Sequence, residues 1–312
     1  MAAPFTRASL GRGPAFVTFN GATLYLRGDI DTKHAPVFNP VKSSLTGQID
    51  KTKKDLVIKN NLLLFGLYQD LTVLFPSWLM NPVPGASVFG TGADLPMVIQ
   101  ARNNDRITYA NTQITKLVGV HLGVDSELWG AAVEMTSIIA GAANPEDAAA
   151  YFTRDTGTYA APTSLALTNF LKTRWTAAWT GKTGLTSFVG QKGFDLSWNA
   201  DLKPVEVEGW GTVDMTVGEG TMVAQCKCIP IVPTAAQIDT AQAVTAAHGT
   251  LLSANAADLT LTGGAKSIVL KTAGIIENST MFGIEPLRIG ETVWETTRAV
   301  TAGAMGAVAT VA

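Results

Sequence analysis

Charge is scarce in this sequence. Of its 312 residues 15 % are Asp, Glu, Lys or Arg and 46 % are hydrophobic, whereas an average soluble protein is roughly a quarter charged. A lone soluble monomer carries more charge than this. The deficit predicts a surface largely covered by copies of the same chain, because obligate assemblies meet through more apolar surfaces. A net charge of −2 and a pI of 5.9 argue against a protein that grips nucleic acid by its phosphates, which takes clustered Lys and Arg. The one basic knot is Lys51, Lys53 and Lys54. It lies between Asp50 and Asp55, a pattern that reads as a solvated face.

Metal and disulfide chemistry also lack material. The two cysteines, Cys226 and Cys228, form C-x-C within MVAQCKCIPIV. On a strand their α-carbons would stand about 6.5 Å apart on one face, which strains a disulfide, so buried free thiols are expected. Zinc needs two more ligands, and the three histidines, His34, His121 and His248, are scattered without ligand spacing. No metal and no cofactor is expected. The N-terminal stretch MAAPFTRASLGRGPAF has no apolar core of signal-peptide length, and no later run reaches the 18 or so apolar residues of a membrane helix. The sequence thus reads as a protein kept in a cytoplasm until it assembles, without membrane insertion.

Several enzyme signatures fail by one residue. GTGADL (90–95) has Leu95 where the third glycine of a dinucleotide loop belongs, and GASVFG (85–90) lacks nucleophile-elbow spacing. WTAAWTGKTG (175–184) ends like a P-loop, but Thr176 occupies the position of its first glycine. A P-loop links a strand to a helix. Here Trp175, Ala177 and Trp179 alternate with Thr176, Ala178 and Thr180, so TGKTG reads as a turn between two strands, the second beginning near Leu185. No catalytic site is expected.

What the sequence does have is β patterning. FDLSW (194–198) and the stretches around Val205–Val207 and Val213–Val217 alternate apolar and polar residues, the period of half-buried strands. Further strands are predicted at 15–20, 22–27, 55–59, 114–122, 131–139, 221–229, 258–262, 266–270 and 281–289. Leu64, Leu67, Leu71 and Leu74 recur at helical spacing before Pro76, predicting one helix. A second is predicted from Asn144 as N-cap, with Pro145, Glu146 and Asp147 in its first turn. Residues 76–104 read as a long loop. So do residues 230–257, which also have room for a short helix, and the reach of such loops suits contact with a neighbouring copy. No internal repeat is found. Between Phe194 and Gly220 stand six acids, Asp195, Asp201, Glu206, Glu208, Asp214 and Glu219, against one base, Lys203. This is either an ordinary solvated sheet face or a surface tuned to repel phosphate.

The stretch KGFDLSWNADLKPVEVEGWGTVDMTVGEGTMVAQCKCIPI (192–231) resembles the strand pair of bacteriophage major tail tube proteins. Pro204, Val205, Val207, Gly209, Gly211, Thr212, Val213 and Asp214 carry the match. Upstream, SSLTGQIDKTKKDLVIKNNLLLFGLYQDLTVLFP (43–76) is similar to that family's long loop, strand and helix, with Gly47, Asp50, Gly66, Leu74 and Pro76 in order. Residues 114–153 and 282–304 continue the likeness, which spans most of the chain; 230–257 has no counterpart and reads as an insertion or linker.

The resemblance implies a mainly β fold with one or two short helices, a single domain over 1–312. Its sandwich or barrel would complete a larger inner barrel across subunits. It implies hexameric rings stacked into a virion tail tube assembled in the host cytoplasm, a conduit for genome delivery. Partners would be further copies of the chain, a tape measure protein, a tail terminator and baseplate or tail-tip proteins, with DNA passing without sticking. An N-terminal arm, 1–14, would order on stacking, and loops at 42–55 and 76–104 would touch adjacent rings. Lys51, Lys53 and Lys54 become candidate inter-ring contacts, and Asp195, Asp201, Glu206, Glu208 and Asp214 candidate lumen-facing acids. The rival class is a β-rich tail accessory, baseplate or receptor-binding module that forms no tubes.

Overall fold

The alternation in FDLSW marks one strand of a very large sheet. The computed structural model describes residues 16–26, 30–45, 47–65, 75–90, 93–101, 104–123, 130–141, 147–158, 174–219, 223–231, 233–242, 247–281 and 288–297, with short pieces at 300–301, 304–305 and 309–311. Strands β1 (Phe16–Phe19) and β2 (Ala22–Tyr25) make a small hairpin, and β3 (Asp31–Ser43) and β4 (Gly47–Phe65) a much longer one. A single-turn helix, Ser77–Met80, precedes β5 (Met97–Gln100), β6 (Asp105–Tyr109), β7 (Asn111–Leu122) and β8 (Gly130–Ile138). A 3-10 turn, Ala148–Ala150, leads into β9 (Phe152–Thr156), followed by β10 (Thr176–Trp179), β11 (Val189–Gly190) and β12 (Phe194–Asn199). The hairpin of β13 (Leu202–Val207) and β14 (Gly211–Val217) comes next, then β15 (Val223–Cys228), β16 (Pro230–Ile231) and a helix, Ala235–Gln242. After a 3-10 turn at Leu252–Ala254 come β17 (Ala257–Gly263), β18 (Lys266–Met281), β19 (Arg288–Thr296), β20 (Val300–Thr301), β21 (Ala304–Met305) and β22 (Ala309–Val311).

The protein is mainly β, built on large antiparallel sheets, none closed into a barrel among the described residues. The main sheet runs β10-β17-β18-β19-β15-β12-β7-β8-β4-β3, with β22 beside β18. A second sheet, β2-β1-β5-β6-β9, packs on it. His34 of β3 meets Phe152 of β9 edge-on at 4.9 Å between ring centres, and one buried hydrophobic cluster includes Val17, Met97 and Tyr109 together with Ile58, Ile114 and Leu261. At the far end of the main sheet the core is aromatic. Trp179 meets Trp294 edge-on at 6.2 Å, and Phe188 stacks on Trp294 at 5.6 Å. The Trp179 indole N–H donates to the carbonyls of Ala257 and Ala273 at 3.1 and 3.0 Å, so this deeply buried polar atom is satisfied.

The two ends of the main sheet differ. Beyond β10 the chain folds back, and Ala177 and Phe188 exchange two backbone hydrogen bonds of 2.8 Å, covering that edge. The other end, β3, has no further strand beside it among the described residues. Pro36 and Pro40 lie in β3; lacking an N–H, proline is tolerated within a sheet where that position faces solvent, so both blunt the open edge against indiscriminate pairing.

Several expectations need correction. Residues 42–55 are not a loop. They are the outer end of the β3–β4 hairpin, which turns tightly between Ser43 and Gly47. Both faces of this end are solvated, so no apolar alternation marks it. Leu64 belongs to β4, where Leu62 and Leu64 point inward; Leu67, Leu71 and Leu74 of the expected helix lie outside the described residues. Residues 76–104 hold the short helix and β5 rather than one open loop. Of the helix start expected at 144, Asp147 is described and accepts from the Ala149 N–H at 2.9 Å, but only a 3-10 turn follows before β9. Strand 266–270 extends to Met281, and the span 281–289 is divided between β18 and β19, with 282–287 outside the described residues. The arm 1–14 also lies outside them. Among the described residues no helix is long and apolar enough to cross a membrane.

Candidate functional site

One face of the main sheet is left open, and the strand period decides which side chains stand on it. Along β4, Leu62 and Leu64 are buried while Leu63 is 42 % exposed, and along β7 Leu117 is buried while Val118 is 52 % exposed. Val118 is the extra residue at a register shift, since Leu117 pairs with Val133 and Gly119 with Ala132. A bulge of this kind re-aims a side chain away from the ladder. Around it lies a shallow groove of about 390 Å3, floored by Leu63, Val118 and Ala132 and rimmed by His121, Asp195 and Lys227.

Several charges on this face are paired. Lys59 reaches Glu134 at 3.1 Å, His121 Nδ1 reaches Asp195 at 2.6 Å, and Lys227 stands 3.8 Å from Glu291. Gln225 donates to Glu295 at 2.6 Å. Exposed pairs of this kind contribute about 0–1 kcal/mol each, so they set the electrostatic character of the face more than its stability. Among the described residues, no three His, Cys, Asp or Glu side chains converge in a metal-binding group. Cys226 and Cys228 are free and buried. Burial, with the neighbouring Cys228 and Asp195, pushes the Cys226 thiol far above its ordinary range, and burial with Asp195 and Glu291 does the same to Cys228.

The lysines and acids singled out in the sequence are distributed, not gathered. Lys54 is the extra residue of a bulge in β4 and forms an ion pair with Glu206 of β13. Lys53 lies over the Tyr151 ring, 5.2 Å from its centre. Lys51 is exposed. Asp195 stands on the open face of the main sheet. Asp214 accepts from the backbone N–H groups of Met215 (2.7 Å) and Phe89 (3.3 Å). Val205 sits opposite Asp214, so the adjacent Glu206 points to the other face of its hairpin. Asp201, Glu208 and Glu219 are exposed. The five candidate lumen acids therefore do not share one surface of the subunit.

A residue of greater structural weight passed unmarked in the sequence. Asp55, 3 % exposed, accepts from the Leu56 N–H at 2.7 Å and binds Thr212 across the fold. No local signal shows this, because Thr212 is 157 positions away. A second pin holds the same hairpin, where Gly85, Ala86 and Val88 exchange backbone hydrogen bonds with Met215 and Val217.

No family model matches the chain, and no curated protein sequence matches it. The geometry at 175–184 disposes of the P-loop likeness. The Trp179 N–H donates to the Leu185 carbonyl at 2.7 Å, Gly181 and Gly184 take positive φ of 71° and 78°, and Lys182 lies 5.3 Å over the Trp179 ring. GKT is the tip of a strand-to-strand turn, with no helix behind it to receive a phosphate.

Proposed function

We propose that this chain is a structural subunit that polymerises into a tube of the bacteriophage tail-tube type, a conduit for a viral genome. The observation that carries this reading is an eleven-strand antiparallel sheet with no strand beyond β3 among the described residues, in a chain with few charges and with apolar side chains on its surface. Val37 and Phe38 on β3, Leu45 at the hairpin end, and Leu63 and Val118 on the open face are all more than 40 % exposed. The β3 edge is blunted only at Pro36 and Pro40; completion by neighbouring subunits would cover its remaining unpaired groups. A slightly acidic chain, with a net charge of −2, also suits a wall past which a polyanion slides. In this reading the partners are further copies of the chain, a tape measure protein, a tail terminator and baseplate or tail-tip proteins, in the virion tail.

The test is electron microscopy of the concentrated protein. Rings and hollow tubes of constant diameter are expected. Particles that remain single subunits at every concentration and in the presence of tail-tip components would instead favour a β-rich accessory or receptor-binding module.

A further inference from the structure

We propose that the tip of the β13–β14 hairpin docks into the open-face groove of a second copy of this chain, with Trp210 as the knob and a Glu208–Lys116 ion pair beside it. The inference rests on the self-assembly part of the reading above and names one contact through which it occurs.

Trp210 is exceptional among the described tryptophans. Trp78, Trp175, Trp179, Trp198 and Trp294 are at most 6 % exposed, whereas Trp210 is 40 % exposed and its neighbour Val207 46 %. Tryptophan at such a position is the residue type most enriched among binding hot spots. The tip is held rather than loose. The Trp210 N–H donates to the Val207 carbonyl at 2.9 Å, and the next two residues are locked against β4. Gly211 has a φ of 75°, and a Cβ there would lie 2.3 Å from Asp55 Oδ1, so only glycine fits. A knob fixed in advance loses little freedom when it binds.

The groove matches it in size and chemistry. Its volume of about 390 Å3 is at the small end of the roughly 300–1,000 Å3 range of sites that receive drug-sized groups, enough for an indole. Its floor is the apolar set Leu63, Val118 and Ala132. The charges are complementary as well. Lys116 precedes Val118 by two residues on β7, and Glu208 precedes Trp210 by two residues at the hairpin tip. Both are exposed, and neither forms an ion pair with a described residue. The hairpin cannot fill its own groove, because from Asp55, where it is pinned, to Leu63 is about 26 Å along β4 at the rise of an extended strand. Knob and groove are different patches of one chain, so the contact can propagate head-to-tail. It yields a ring if the rotation closes and a filament if it does not.

The experiment is sedimentation velocity on the full chain over a concentration series, comparing the parent with Trp210→Ala, Glu208→Lys, Lys116→Glu and the double exchange Glu208→Lys/Lys116→Glu. Far-UV circular dichroism confirms that each variant retains its strands. Trp210→Ala is expected to weaken association roughly tenfold or more, and each single charge reversal several-fold. The double exchange is expected to restore association to about the parent value. Parent assemblies unchanged by Trp210→Ala, or a double exchange weaker than both single reversals, overturn this contact while leaving the tube reading standing. A parent that stays monomeric throughout overturns this contact, and the tube reading falls with it only if tail-tip components also leave the subunits single.

Discussion

The buried carboxylate of Asp55 on β4 accepts two hydrogen bonds from Thr212 on β14, one from its backbone N–H at 2.9 Å and one from its hydroxyl at 2.6 Å. Together with the neighbouring Lys54–Glu206 pair, it fastens the β13–β14 hairpin, and therefore Trp210, to the long β3–β4 hairpin. Two bulges meet at this point. Residue 54 is the extra residue in β4, and residue 213 is the extra residue in β14, where Val205 pairs with Asp214 but Glu206 with Thr212.

Removing the Thr212 hydroxyl takes one of two donors from the buried Asp55 Oδ2 and leaves it the backbone N–H alone. Thr212→Val keeps the shape and deletes the hydroxyl, and should cost about 1–3 kcal/mol, the penalty for a buried acceptor that loses a donor. Urea titration should show the midpoint falling with the slope unchanged. An unchanged midpoint would mean that solvent reaches Asp55 and the clasp is not closed.

The His34 ring makes the stability depend on pH. Burial against Tyr109 and Phe152, and then the charge of Arg154, hold its pKa below the ordinary value of about 6.5. Below that value the unfolded chain takes up a proton that the folded chain resists, so the folded state binds fewer protons. His34 therefore takes nothing from stability above pH of about 6.5, and stability is lost as the pH falls from there through the depressed folded value. His34→Phe should flatten this part of the profile. Equal urea midpoints for the parent at pH 7.5 and 5 would count against the burial of the ring.

The two thiols should be chemically silent in the fold. Cys226 and Cys228 are buried, and only the thiolate, which burial disfavours here, attacks a disulfide reagent. An aromatic disulfide at pH 8 should label the native protein far more slowly than the urea-unfolded chain, which should release two equivalents at once. Rapid labelling of native protein would refute the inward orientation of β15.

At the GKT turn, Lys182 and Trp179 should behave very differently. Lys182→Ala loses one exposed cation–π contact, about 0.5–1 kcal/mol, and no nucleotide affinity, because calorimetry with ATP should show none to lose. Trp179→Ala opens a cavity in the aromatic core and removes a doubly bonded indole, for about 3–5 kcal/mol. Saturable ATP binding abolished by Lys182→Ala would reinstate the P-loop reading.

Strands buried on one face were legible because burial enforces a period of two. The alternation of Trp175, Ala177 and Trp179, the C-x-C pair on one side of β15 and the segment 194–198 all announced their inward residues. The outer half of the β3–β4 hairpin was not legible. Residues 50–54 are solvated on both faces, so nothing in their polarity distinguishes a ladder from a loop, and backbone pairing alone makes them strands. Leu64 was drawn toward a helix by the leucines downstream of it, whereas it stands with Leu62 on the inward face of β4 by a period of two.

The candidate surface divides along the same line. Composition by itself determined that the chain is poor in charge, with 15 % charged residues against 46 % hydrophobic ones, because those counts need no fold. Only the tertiary structure decided where the remaining charges act. It paired Lys54 with Glu206 and His121 with Asp195, buried Asp55 beneath Thr212, raised Val118 on a bulge and left Trp210 outside. Such outcomes depend on strand register and long-range packing, which place residues side by side regardless of their separation along the chain.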